Sequence, residues 1–319
     1  MTFTNSLSRR DVLSIGALSM TSLTTGISVN GEADSPDAGN WIDAHSHIWP
    51  PTDDKFPLAE GKSVKDLDPP SFTDDELMAL ARPEGVRRAV LIQHSIYHRF
   101  DNSCLIDAWR RHPDRFRVVG MVDEYSSDPG LQMKQLLKQG VTGFRITPFV
   151  RPDQQRTWLE TEGMQAMWKT AASTRQPMCC LINPSDLPRV DAMCMRHPDT
   201  PVVIDHFARI GVDGTVHDRD LDNLCRLAKH PHTSVKVSAY YALGDKKPPH
   251  TELIPMIRRL HDVFGPERLM WASDCPYQVQ GNNTYRDSIR LIRNVIDFFD
   301  DSDREWILKG TAEKVFFYA

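Results

Sequence analysis

Beyond residue 40 the chain alternates eight times between a short apolar or β-branched run and a longer segment with helical spacing of its apolar residues. That pattern leaves few folds open, because parallel strands must be joined by helix-length crossovers that return each strand to the same edge. The runs are WIDAHSHI (41–48), RAVLIQHS (88–95), FRVVGMVD (116–123), VTGFRIT (141–147), PMCCLIN (177–183), PVVIDHF (201–207), TSVKVSA (233–239) and RLMWASD (268–274). Helices are expected at 74–82, 102–111, 129–139, 162–174, 187–197, 221–230, 252–264 and 285–299. His112-Pro113 and His197-Pro198 supply stops, since a residue before proline is pushed out of helical backbone. Eight units in about 280 residues fit one α/β domain, a single (β/α)8 barrel. A doubly wound open sheet is the alternative, and no G-x-G-x-x-G follows the first run to support its dinucleotide-binding form.

The first forty residues do not share the pattern. Arg9 and Arg10 precede a moderately apolar stretch rich in Ser, Thr and Gly, and no Lys or Arg follows until Lys55. This is a twin-arginine export signal in form, expected to span 1–33 with a linker at 34–40 before the barrel domain at 41–319. The apolar stretch is too short and too polar for a stable membrane span. The expected partner is therefore the twin-arginine export machinery, and the expected destination is the periplasm or another extracytoplasmic space. Six cysteines at 104, 179, 180, 194, 225 and 275 show no framework spacing and read as free core thiols. A net charge of -5 without a basic run gives no footprint for nucleic acid, so the expected ligand is a small molecule.

Barrels of this kind carry their chemistry at the carboxyl ends of the strands. Residues two apart on a strand share a face, so His45 and His47 project together near the end of the first. His206 ends the sixth run, Asp274 ends the eighth, and Arg145 lies near the end of the fourth. Only a closed barrel brings these together. Arg145 suits a carboxylate or enolate clamp, or equally a salt bridge inside the barrel. Lys236 faces the lumen or the helix layer according to register. His94, Tyr97, His98 and Asp101 follow the second run, where a loop could reach a ligand; the same HRFD stretch reads as a polar loop and helix cap. No G-x-S-x-G elbow is present, and Ser46 points away from its flanking histidines.

DAHSHIW, LIQHSIYHRFDN, GFRI, VVIDHFAR, VKVSAYY, LMWASDCPY and TAEKVFFY, in that order, resemble the amidohydrolase superfamily. The resemblance lies within its amidohydrolase-related branch, which includes 2-pyrone-4,6-dicarboxylate and sugar-acid lactonases. It implies a distorted TIM barrel with His45, His47, His206 and Asp274 as the central site. The bridging lysine of binuclear members and their strand-five histidine are missing from GFRIT and MCCLIN, so a binuclear centre is not expected. The remaining set has the ligand types of one zinc or manganese ion, although related lactonases use a similar set without metal, and both cases stay open. Either way, Asp274 is expected to activate water, with His206 and Arg145 beside it in the reaction. His98, Asp101, Tyr240 and Tyr241 are the substrate-binding candidates. Related lactonases often place an arginine after strand seven for an acidic substrate, whereas here Tyr240 and Tyr241 follow it. That favours a sugar lactone or other neutral ring. A metal-dependent non-oxidative decarboxylase is the alternative function, and a non-catalytic binding protein is the third.

Overall fold

The computed structural model describes residues 39–52, 54–151 and 157–318. The leader reading at 1–33, and the linker reading up to residue 38, lie outside the described residues.

Eight parallel strands, β1 (Trp41–Ser46), β2 (Val86–Ile92), β3 (Phe116–Gly120), β4 (Val141–Ile146), β5 (Met178–Cys180), β6 (Val202–Ile204), β7 (Thr233–Val237) and β8 (Leu269–Trp271), pair in sequence order. The sheet closes just beyond the last residue of β8. There Asp274 N donates to His45 O at 2.8 Å and His47 N to Cys275 O at 2.8 Å, with Ser46 and Cys275 in a parallel bridge. The result is the expected (β/α)8 barrel.

One buried carboxylate clasps this seam. Asp43 accepts from His45 N, Ser273 N and the hydroxyls of Ser46, Ser273 and Tyr285, at 2.5–3.1 Å. Burial of Asp43 raises its pKa, and these donors work against the rise. The lumen below is filled by side chains such as Ile42, Val90, Val119, Cys179, Val203 and Met270, and Phe316 of the closing helix Thr311–Phe316 packs against them. The six cysteines are free thiols, five of them buried.

The crossover helices start where their caps direct. Thr73 and Glu76 form a reciprocal capping box before Asp74–Ala81, while the side chains of Asp128 and Thr161 open Pro129–Leu137 and Glu162–Thr174. The expected helix at 285–299 is shorter: Tyr285–Arg290 runs into a wide turn, Leu291–Val295, and stops. Asp300 then caps a new helix, Asp301–Glu305, through a second capping box with Asp303. Likewise the expected 221–230 helix begins at Asp218 and ends at Arg226 in a tight turn, Leu227–Lys229.

Candidate active site

The first strand would not aim both histidines inward if its alternation were regular. Ile42 and Ala44 pack in the lumen, so strict alternation would bring Ser46 in next. The pairing of β1 with β2 shifts between Asp43 and Ser46, and this irregularity turns His45 and His47 inward, with ring centroids 5.1 Å apart. Ser46 faces the other way, 2.9 Å from the Ser273 hydroxyl.

The ends of β6, β7 and β8 are turned by backbone that side chains rarely adopt. His206, Phe207, Ala208 and Arg209 have φ of 52°, 53°, 53° and 61°, Ala239 has 59° and Asp274 has 62°. Left-handed backbone costs a non-glycine residue about 1–2 kcal/mol, and such strain gathers where a site fixes side chains that regular geometry would misdirect. Here it brings Asp274 and His206 to the strand-one histidines. Asp274 Oδ1 lies 3.4 Å from both His45 Nε2 and His47 Nε2, and Oδ2 lies 3.7 Å from His206 Nε2. Tyr241 donates to Oδ2 at 2.7 Å. The four sequence-identified groups thus converge.

Hydrogen bonding fixes what these atoms offer. His47 Nδ1 meets the carbonyl of Ile92 at 2.8 Å, so it must carry the proton and donate. Its Nε2 is then a bare lone pair facing the Asp274 carboxylate. Two acceptors 3.4 Å apart require a cation or a donor between them. A tetrahedral zinc with ligands at about 2.1 Å sets those ligands about 3.4 Å apart, so His45, His47 and Asp274 fit one divalent ion; His45, Asp205 and His206 form a second group of adjacent ligand atoms. Burial pushes His45, His47 and His206 below the usual histidine range, His47 to about 3, and raises Asp274. The histidines are neutral donors of lone pairs, and Asp274 is a strengthened proton acceptor.

Beneath them lies a buried charge cluster. Lys236, left open by register, faces the lumen: its Nζ is 3.0 Å from Asp205 Oδ1 and 3.1 Å from His45 Nδ1. Arg145 Nη2 lies 2.6 Å from His45 Nε2 and 3.4 Å from Asp205 Oδ2, which is the salt bridge inside the barrel, although Arg145 also lines the cavity. Asp205 is held well below the usual carboxylate range, because Lys236, His45 and Arg145 together outweigh its burial.

The cavity above these groups holds about 360 Å³ and is lined by His47, His206, Asp274, Tyr241, Arg145, Arg209, His94, Tyr277 and apolar side chains including Ile96, Phe149 and Leu243. Of the four substrate-binding candidates only Tyr241 reaches it. His98 is turned to the Pro57 carbonyl, Nδ1 to O 3.0 Å. Asp101 caps the helix Ser103–Arg111 through the Ser103 amide at 2.8 Å, as the helix-cap reading has it. Tyr240 is core, its hydroxyl donating to Val237 O at 2.9 Å. His98 and Tyr240 are turned away by the single-turn helix Ser95–His98 and the left-handed Ala239, which rotate neighbouring side chains to opposite sides, and Asp101 is held by the Ser103 amide.

Of the four residues after the second run only His94 lines the cavity, and Arg209 and Tyr277 are polar lining residues that the sequence-derived site lacks. Arg209 and Tyr277 each lie three positions past a site residue, His206 and Asp274, and that shared offset is the only signal for them. Arg209 donates to Asn183 Oδ1 at 3.0 Å and lies over Phe149. His94 bonds the Tyr277 hydroxyl through Nε2 and stacks on Tyr97.

Comparison with known proteins agrees with this geometry. A family model described as amidohydrolase matches residues 42–318. The chain is 28% identical over 243 residues to a 4-sulfomuconolactone hydrolase of Rhizobium radiobacter, covering 75% of this chain and 76% of that protein. It is 27% identical to an L-fucono-1,5-lactonase of Burkholderia ambifaria, covering 74% and 80%. An amidohydrolase of Burkholderia multivorans, 20% identical and covering 87% of this chain and 99% of its own, superposes with a TM-score of 0.73 in crystals with bound HEPES. In crystals of it with bound zinc the TM-score is 0.69.

Proposed function

Because the chain belongs to the amidohydrolase family, we propose that it hydrolyses a small lactone, with Asp274 activating the attacking water. The observation that carries this reading is the convergence of the Asp274 carboxylate with three histidine nitrogens at 3.4–3.7 Å on a cavity that holds a small ring. Tyr241 occupies Oδ2, which leaves Oδ1 to accept a proton from water. The bare Nε2 of His47 receives the same water's second hydrogen and orients it. Water adds across the ester bond: its oxygen joins the acyl carbon, and its proton passes through Asp274 to the ring oxygen that leaves. Arg145 and His206 face the cavity where negative charge develops on the carbonyl oxygen. His45, His47 and Asp274 would hold a divalent ion, which when bound supplies Lewis-acid polarisation and a more acidic water.

Cationic lining sets the substrate class. Arg145 and Arg209 line the cavity with Asp274, and since Arg145 and Lys236 balance Asp205 and Asp274, Arg209 is the additional cation of the lining. A lactone bearing a carboxylate or sulfonate suits this balance better than the neutral ring that the missing arginine after strand seven favours. The sulfomuconolactone hydrolase relative supports that choice. We also propose that the leader exports the folded enzyme.

The deciding experiment assays purified protein against acid-substituted lactones, aldonolactones and aromatic carboxylic acids, with metal analysis alongside. Ring opening of an acidic lactone is expected. Carbon dioxide release from the aromatic acids, without ring opening of any lactone, would replace this reading with the decarboxylase.

A further inference from the structure

Two cations approach opposite ring nitrogens of His45: Arg145 Nη2 at 2.6 Å from Nε2 and Lys236 Nζ at 3.1 Å from Nδ1. Both bring only N–H donors, whereas a neutral imidazole offers a single lone pair. Asp205 decides which nitrogen carries it. Its Oδ1 lies 3.6 Å from His45 Nδ1, which also has the Lys236 ammonium at 3.1 Å, so a proton on Nδ1 faces a carboxylate at long range as well as a second cation. The opposite tautomer would set two N–H groups against each other at 2.6 Å. The lone pair therefore lies on Nε2, and Arg145 takes it.

That lone pair is the one that converges with His47 Nε2 and Asp274 Oδ1. We propose that Arg145 and a divalent cation are alternative occupants of one seat on His45, so that metal binding requires the guanidinium to leave. Arg145 is free to do so. Its Nε has no hydrogen-bond partner where it sits, its remaining contact with Asp205 is a long 3.4 Å, and it already lines the cavity. Charge favours the exchange over joint occupancy: Arg145 and Lys236 balance Asp205 and Asp274, and an added divalent ion beside an unmoved Arg145 would leave two buried positive charges uncompensated. The competition holds whichever lactone the cavity accepts.

The test is zinc titration of metal-stripped enzyme against a chromophoric chelator, which needs no turnover. Arg145→Gln removes both charge and reach; Arg145→Lys keeps the charge but ends one bond short of the guanidinium's outer nitrogen. Both variants are expected to bind zinc at least about tenfold more tightly than the unaltered enzyme. Unchanged affinity in both would overturn the shared seat, and so would tighter binding by Arg145→Gln alone, which charge removal explains. Should either variant fail to fold, nitrogen-15 NMR of the unaltered enzyme decides. The Arg145 guanidinium signals shift in step with one equivalent of zinc if the seat is shared, and stay fixed if it is not.

Discussion

At the residue scale the site depends on which side chains carry protons and which carry lone pairs. Asp274→Asn keeps size and most hydrogen bonding but removes the acceptor, so kcat should fall by about 10²-fold or more with the fold intact by circular dichroism. The pH profile follows from burial. Asp274 acts only when ionised, and its pKa is raised from 3.8, so kcat/KM should be lost as pH falls, along a limb lying above that value. Burial pushes His45, His47 and His206 below 6.5, so any ionisation of theirs in a pH–rate curve should fall below that value. Arg209→Met should raise KM for acid-substituted lactones by about tenfold while leaving neutral lactones unaffected, since one charge-assisted contact contributes about 1.5–3 kcal/mol; equal loss on both classes would count against the anionic substrate. The strand-ending residues are legible in the sequence because apolar runs mark where strands stop. Arg209 and Tyr277 are not, because their direction comes from positive φ at non-glycine positions, a property that hydrophobic patterning does not encode. His94, His98 and Asp101 are inseparable by sequence for a related reason: a single helical turn, Ser95–His98, ending at Arg99 with φ of 48°, sets their directions.

At the element scale the alternation of apolar run and amphipathic helix is legible throughout, since both periods are written in side-chain polarity. Two features escape it. The shift in β1 is a backbone irregularity with no residue-type signal, and the premature end of the helix after Arg290 depends on Asp300 starting another one. The Asp43 clasp makes the seam testable. Tyr285→Phe removes one donor and should cost about 1 kcal/mol in denaturant unfolding. Asp43→Ala strands several buried donors at once and should cost about 3 kcal/mol or more. An Asp43→Ala protein as stable as the original would mean that the clasp adds nothing to closure.

At the scale of the whole molecule the barrel and the site are one construction, because the four central groups lie at or just beyond the ends of three different strands, β1, β6 and β8. The proposed export is testable at Arg9 and Arg10: replacing both with Lys should retain precursor in the cytoplasm, as fractionation and immunoblotting would show. The seam between β1 and the end of β8 has a further consequence, one of timing. His45 and His47 are among the earliest residues of the barrel to be synthesised and Asp274 among the last, and the contacts that join them span more than two hundred positions. Contacts of such long range form late. A ribosome-bound or truncated chain without β8 can carry every histidine and still lack the carboxylate that completes them, so hydrolysis begins only once the circle is shut and the newly made enzyme stays silent until its own synthesis is over.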